Sequence, residues 1–403
     1  MKKLIIWLAL ATLGLSANAA PLVTIGDEVD IFFKGSVLGQ YNSNVFYSGH
    51  APFKYEDYLA IMTVGAEVDY GRHHLVRANL KFYEDFYRYA DLQRLNVNLS
   101  NVVFTAGYNG EKFRSDLDFA FNQRRQNDAD VGFDPVHNIS IPDLIRYDNI
   151  TVSLQNSYIF SEKFSAELNF MYYSTDYKTY GELYSDQQMY AIPVSALYAV
   201  TEKINVGLTY QYRHTTFDGG NPLTALWYGN SRDDHFGGIT VRGELAPKLM
   251  AIIYLGATYR QMQGGLIADE GKLQFTGSID LRYALTNKIS TFINAYRDFG
   301  SGAARQNLMT TGVDTGAEYA YNEFFKFTVA GGYRNSDYQN WVSGSSVGGG
   351  RQDDNFYGRL GVRYTPSRYI SMSLGYRIIC NSSNLSYATY NQHVVTIDFS
   401  VRY

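Results

Sequence analysis

The sequence predicts an all-β chain folded as a single transmembrane antiparallel up-and-down β-barrel of about 18 strands, within a range of 16–18. Three observations predict it. Apolar and polar residues alternate with period two over segments of about ten residues or more. Short polar turns recur along the chain at a steady interval. The N-terminus reads as an export leader.

Composition narrows the choice before any pattern is read. The chain has 403 residues, 45% hydrophobic and 16% aromatic, with 36 Tyr and one Cys. That aromatic content is too high for a disordered chain. A single Cys excludes a disulfide scaffold and a Cys-based zinc site. The formal charge of -4 gives no basic surface for nucleic acid. The mean hydropathy is -0.25, and no run of 18 apolar residues follows the leader, which excludes a helical membrane protein. Strands remain possible, because a barrel spreads its apolar residues over alternate positions.

Lys2 and Lys3 form a positive start, Leu4 to Leu15 a short apolar core, and Ala17-Asn18-Ala19 a small-x-small cleavage site. Residues 1–19 are therefore expected to be a secretory signal peptide, read by the Sec pathway, and residues 20–403 the barrel. Cleavage removes two Lys and no acid, giving -4 - 2 = -6. No Cys follows the cleavage site, so a lipoprotein is not expected.

Turn clusters then divide the chain. They lie around Gly71, Glu111, Glu162, Glu202, Pro247, Asn287, Asn322 and Ser367, at steps of 40, 51, 40, 45, 40, 35 and 45 residues. Each is rich in residues that accept tight bends. Repeats of this size also occur in propellers and solenoids, and the segments between turns decide. Ile204, Val206, Leu208, Tyr210 and Tyr212 alternate with Asn205, Gly207, Thr209, Gln211 and Arg213. Leu273, Phe275, Ile279, Leu281 and Tyr283 alternate with Gln274, Thr276, Ser278, Asp280 and Arg282. Ile370 to Ile378 repeats the pattern. Strands of this length suit a tilted membrane crossing better than a soluble sheet.

Eight short turns and nine longer connections imply 18 strands, with both ends on the short-turn side. The longest connection, Arg125 to Arg146, is expected to fold over or into the mouth, with a mobile surface loop as the alternative. Pro193 interrupts an apolar strand, Tyr190 to Val200, and predicts a bulge or a local break.

Alternation alone does not say which face is dry. Tyr210, Tyr212, Tyr259, Tyr283, Tyr333 and Tyr364 sit near strand ends, where an aromatic girdle meets the lipid–water boundary. The last segment sets Val395, Ile397, Phe399, Val401 and Tyr403 on one face. Phe399, Val401 and Tyr403 resemble the assembly signal that the barrel-assembly machinery reads on bacterial outer-membrane barrels.

Strands running away from the short turns end in a basic residue: Arg88, Arg124, Lys178, Arg213, Arg260, Arg297, Arg334 and Arg377. Among them, Tyr immediately precedes Arg at Arg213, Arg260, Arg297, Arg334 and Arg377. Neighbours along a strand face opposite ways, so Tyr in an outer girdle sends Arg inward, near the long-loop rim. Such a ring favours anions or acidic sugars by focusing the field. The structural alternative pairs these Arg with interior carboxylates such as Glu244, Asp280 and Asp398. Deeper inward positions include Glu67, Asp69, Arg77, Glu167, Arg242, Arg282, Arg359, Arg363 and Arg402. With Glu244, Asp280 and Asp398 these positions hold six Arg and six acids, so the basic excess that predicts a weak anion preference comes from the rim set.

Enzymatic readings are weak: there is no HExxH or phosphate-cradling GxxxxGK[ST], and the one GxSxG string, Gly344 to Gly348, lies in a Gly/Ser-rich stretch. No catalytic residue, metal ligand or cofactor is expected. Asp116-x-Asp118, Asp128-x-Asp130 and Asp233-Asp234 lack the spacing of a dedicated calcium loop. Cys380, at the outer end of a strand, reads as inert.

The chain resembles the beta-barrel porin 2 family of diderm bacteria over nearly all of residues 20–403. The segments that carry the resemblance are Thr24-Ile25-Gly26-Asp27, Asp233-Asp234-His235-Phe236, Arg242 to Leu249, Asp298-Phe299-Gly300 and Asn381-Ser382-Ser383-Asn384. The resemblance implies an outer-membrane barrel among outer-membrane lipid and lipopolysaccharide, and no particular substrate. Some related barrels are linked to polysaccharide export. Two functions from different classes follow as expectations. One is a passive channel for small hydrophilic solutes or sugars. The other is a non-conducting structural, adhesion or glycan-binding barrel.

Overall fold

A computed structural model describes residues 21–26, 28–49, 53–71, 74–127, 131–134, 139–266, 271–339, 342–343, 346–347 and 350–403. The expected signal peptide, with its cleavage site, lies outside the described residues, as do Asp128 and Asp130.

Eighteen long strands follow one another. They are β1 (Val29–Asn42), β2 (Asp57–Tyr70), β3 (Val76–Tyr89), β4 (Val97–Asn109), β5 (Phe113–Arg125), β6 (Arg146–Ile159), β7 (Phe164–Tyr177), β8 (Ser185–Ala199) and β9 (Ile204–Gly219). They continue as β10 (Ser231–Ala246), β11 (Leu249–Gln263), β12 (Lys272–Tyr283), β13 (Ile289–Ser301), β14 (Asn307–Ala320), β15 (Phe325–Gln339), β16 (Arg351–Ser367), β17 (Ile370–Ser383) and β18 (Tyr390–Arg402). Each pairs antiparallel with its neighbours in sequence. β18 then returns to β1, from Lys34 opposite Arg402 to Asn42 opposite Val394, and closes the barrel. A short extra strand, Val23–Ile25, pairs with the start of β1 outside the ring.

All eight predicted turns join strands at one end, and the nine longer connections lie at the other. Closure removes every long edge. It also fixes which face of each strand points out. Leu208 of β9, 69% exposed, and Leu273 and Phe275 of β12, 67% and 61% exposed, stand on the outer face. The alternate residues Thr209 and Thr276 are buried inside. The apolar set therefore faces outward, opposite to a soluble barrel.

Aromatic residues mark two levels on the outer face. Tyr190 and Tyr198 of β8, Phe325 and Tyr333 of β15, and Phe356 and Tyr364 of β16 are each eight residues apart. At about 3.3 Å per residue that is about 26 Å along the strand, or about 20 Å along the axis for a tilt of about 40°. Phe325 stacks on Tyr364 at 4.6 Å, and Tyr333 lies 4.8 Å from Phe356.

Pro193 produces a break without a bulge. The β7–β8 ladder skips from Leu168 opposite Val194 to Met171 opposite Ala191, with the register unchanged. The missing N–H removes local pairing, while the β9 side stays continuous through Pro193 opposite Gln211. The β9–β10 connection holds a feature that alternation did not announce, a helix α1 (Pro222–Tyr228). Asn221 caps it by accepting from the Leu223 N–H, and Pro222 occupies its first position.

A second departure matters more for the interior. The β12–β13 ladder runs only from Tyr283 opposite Thr291 to Gly277 opposite Arg297. Beyond it β13 leaves β12, while staying paired to β14 as far as Ser301 opposite Asn307. The tip of the β13–β14 hairpin bends into the barrel.

Candidate functional site: the clasped barrel interior

The bent tip is held by its own Arg305 and by Arg232 of β10. Arg305, in the connection between β13 and β14, is 3% exposed. Its guanidinium donates to Ser185 Oγ at 2.7 Å, to Gly229 O at 3.2 Å, and to Gly219 O and Asn230 Oδ1. The Ser185 N–H donates to Ala303 O at 2.9 Å. Arg232 of β10, 1% exposed, donates to Ser301 Oγ at 2.8 Å, Gln306 O at 3.1 Å and Arg305 O. Both guanidiniums lie over the Phe217 ring. Three segments distant in sequence are thereby fastened together.

Asp234 anchors the layer beneath. It is buried between Arg213, whose Nε donates to it at 2.7 Å, and Arg260, which donates with Nε at 2.6 Å and Nη2 at 2.7 Å. Arg213 also reaches Asp298 at 2.8 Å and Phe299 O at 3.0 Å. Arg260 reaches Gly300 O at 2.7 Å and Asn307 Oδ1 at 2.8 Å, over the Phe299 ring. These bonds fasten the backbone of β13 where it has left β12. A cavity of about 590 Å³ lies against this layer, bordered by Arg213, Asp234, Asp298, Tyr254, Tyr296 and Gly277.

The longer connections close over the same end. Val45, Phe46, Leu95 and Leu144 form one buried cluster from three connections. Val131, Ile141, Ile145 and Tyr184 form a second, against which Tyr180 and Ala303 pack. Ala303 comes from the β13–β14 connection, so the second cluster spans the mouth. Hydrogen bonds from the Gly132 N–H to Tyr184 Oη at 3.0 Å and from Asn127 Nδ2 to Asp143 O at 2.7 Å fix it. The described part of the Arg125–Arg146 connection thus packs over the opening. Leu308, Tyr338, Tyr387 and Ala388 form a third cluster. Burial raises the phenol pKa of Tyr180 and Tyr387, so both remain neutral donors.

The register places the basic residues singled out in the sequence. Arg124, Arg213, Arg242, Arg260, Arg282, Arg334 and Arg377 lie on inner positions, with Glu244 and Asp280. Arg242 pairs with Glu167, Arg282 with Asp280 at 3.3 Å, and Glu244 with Lys203 at 2.6 Å. Arg88, Lys178 and Arg297 differ from the inward expectation. Arg88 stands opposite Ala60, on the outer face with Phe82, and donates to Asn98. Lys178 reaches Asp176 and Asp148 on the outer face of β7 and β6, and Asp176 raises its pKa. Arg297 stands opposite Gly277 on the outer parity and donates to Thr311 at 2.6 Å; it still borders the cavity of about 590 Å³, because β13 turns inward at that point. The physical reason is that a Tyr–Arg pair does not fix its own orientation. Tyr296, before Arg297, is itself turned inward beside the cavity.

Two interior features escaped sequence reasoning. Arg232 and Arg305 carry the clasp, yet neither sits in a motif. The second feature lies near the short-turn end. Buried Glu67 of β2 meets Lys34 at 2.6 Å, Arg402 at 3.0 Å and Lys81 at 3.6 Å. Arg402 also reaches Asp69 at 2.9 Å and lies over the Phe32 ring. It ties β18 to β2 across β1. Asp233 and Asp234 face opposite ways, Asp233 to Tyr212 and His214 outside and Asp234 to Arg260 inside, so they cannot share an ion. Among the described residues, no group of three His, Cys, Asp or Glu is placed to hold a metal.

No protein-family model and no curated protein matches the chain. Solved structures similar in overall shape include OccAB3 of Acinetobacter baumannii, 9% identical at a TM-score of 0.47, covering 94% of this chain and 100% of that one. The outer membrane protein opdK of Pseudomonas aeruginosa is 10% identical at 0.47, covering 93% and 99%. The FrpB iron transporter of Neisseria meningitidis is 10% identical at 0.48, covering 88% of this chain and 64% of that one. At such values the fold rests on the strand ladder itself, which closes 18 strands into one antiparallel barrel.

Proposed function

We propose that the chain is a bacterial outer-membrane barrel that acts as a porin-like passive channel for small hydrophilic solutes or sugars. One observation carries this reading: the closed barrel turns its long apolar stripes out and most of its charged side chains in. Water stabilises the second face and lipid the first. The two aromatic levels, about 20 Å apart along the axis, suit the thin hydrocarbon layer of an outer membrane. Barrels of 18 strands are wide enough for an aqueous path.

In this reading the chain is exported by the Sec pathway and inserted by the barrel-assembly machinery. Phe399, Val401 and Tyr403, on the outer face of β18, present the assembly signal. Membership of the beta-barrel porin 2 family belongs to the same proposal. The clasp and the packed connections narrow the path at the long-loop end. They select by size, and the basic residues bias by charge. No catalytic role is assigned.

The packed mouth also favours a second reading, a non-conducting barrel that presents its connections as a structural or glycan-binding surface. Single-channel recording of the refolded protein separates the two. Stable conductance supports the channel, and silence with glycan binding supports the surface barrel.

A further inference from the structure

On the inner wall of β15, β16 and β17 positive charges face one another. Arg359 of β16 stands directly opposite Arg377 of β17. Arg363 of β16 stands directly opposite Lys326 of β15. All four border one cavity of about 530 Å³. Like charges directly opposed across a ladder destabilise it.

Lys34 also stands directly opposite Arg402, but there both cations meet one carboxylate, Glu67. Glu67 lies among three cations, and Asp234 lies between two. Of these four cations, only Lys326 has a carboxylate in contact, Glu318 at 2.7 Å. Among the described residues, no carboxylate lies within 4 Å of Arg359, Arg363 or Arg377. Asp398 faces the charge of Arg363 from β18. Four cations against these two acids leave a local sum of 4 - 2 = +2. The three guanidiniums are exposed to the interior.

The surroundings complete a site. Gln40, Thr328, Ser373 and Thr396 border the same cavity and supply neutral hydrogen-bonding groups. Directly opposed Cα atoms lie about 4.5–5.5 Å apart, so two guanidinium forks can share one oxyanion. Arginine forks match the planar geometry of carboxylate and phosphate oxygens. The cavity is within the range of small-ligand sites, roughly 300–1,000 Å³.

We propose that Arg359, Arg363, Arg377 and Lys326 form a binding station for small oxyanionic solutes, those bearing a carboxylate or phosphate group. The station deepens the channel reading and rests on it only for the solute's route. A bound oxyanion would neutralise the opposed pairs and remove their repulsion. It would stabilise the barrel as any ligand of the native state does.

The test uses inorganic phosphate and the refolded full barrel in detergent. Titration calorimetry and thermal unfolding compare the wild type with Arg359→Gln/Arg377→Gln and with Arg363→Gln. Arg88→Gln, on the outer face, is the control. Wild type and control should bind phosphate and unfold at higher temperature in its presence. The double variant should bind at least about tenfold more weakly, the loss expected for one charged hydrogen-bonding pair. Without phosphate it should unfold at a temperature no lower than the wild type, because a repulsion has been removed. Arg363→Gln gives an independent reading if the double variant does not refold. Phosphate affinity unchanged in both variants, or no binding by a folded wild-type barrel, overturns the station. Binding lost in the variants supports it even if the barrel does not conduct, so its failure and that of the channel are told apart.

Discussion

Arg305 is the pin that holds the β13–β14 tip inside the barrel, and Arg305→Ala withdraws it. The substitution removes hydrogen bonds to Ser185, Asn230, Gly219 O and Gly229 O, together with the contact over Phe217. A hydrogen bond from a charged donor contributes about 1.5–3 kcal/mol and a cation–π contact about 0.5–2 kcal/mol. They do not add, and water at the freed carbonyls returns part of the loss. A net cost of about 3 kcal/mol is reasonable, which shifts the balance between held and released tip by about 150-fold. Arg232 and the Asp234 layer remain, so the barrel should still fold. In planar bilayers the variant should show larger single-channel steps and more open-state noise. In liposome swelling it should admit larger sugars. A folded variant with unchanged step size, noise and size cut-off would refute the claim that the tip narrows the path.

Three further outcomes follow from the same structure. Glu67→Gln strands Lys34, Lys81 and Arg402 around a neutral amide and should cost about 3 kcal/mol, read as a lower unfolding midpoint in denaturant. Arg88→Gln should leave the reversal potential in a salt gradient unchanged, because Arg88 lies outside the barrel; a clear shift would place it in the path. Pro193→Ala restores an N–H next to the gap in the β7–β8 ladder. It should raise stability by about 0.5–1.5 kcal/mol, while a loss would mean that the gap relieves strain.

Much of the architecture was legible because it is local. Eight turn clusters, each a few residues long, set the strand count, and alternation sorted the two faces of strands such as Leu273 to Tyr283. Pro193 announced its break through a missing donor. What the sequence hid is long-range. Nothing near Arg305 tells that its partners are Ser185 and Gly219, since the bending of β13 depends on the ladder ending at Gly277. The Tyr–Arg pairs misled at Arg297 for a related reason. A dipeptide states that two side chains diverge, and only the register states which one points inward. Arg359 and Arg377 looked unremarkable among other interior charges until pairing set them opposite one another.

The Glu67–Arg402 bridge joins residues 335 positions apart, and this orders how the barrel can form. Hairpins from β1 to β17 can zip in sequence, each short loop closing at small entropic cost. The ring itself shuts only when β18 docks on β1, and the same event delivers the guanidinium that completes the group around Glu67. Until then Lys34 and Lys81 attend that carboxylate alone, and two raw strand edges face solvent or lipid. Ring closure and charge completion are thus one step, so an unclosed sheet is marked by unfinished electrostatics as well as unmade ladder bonds.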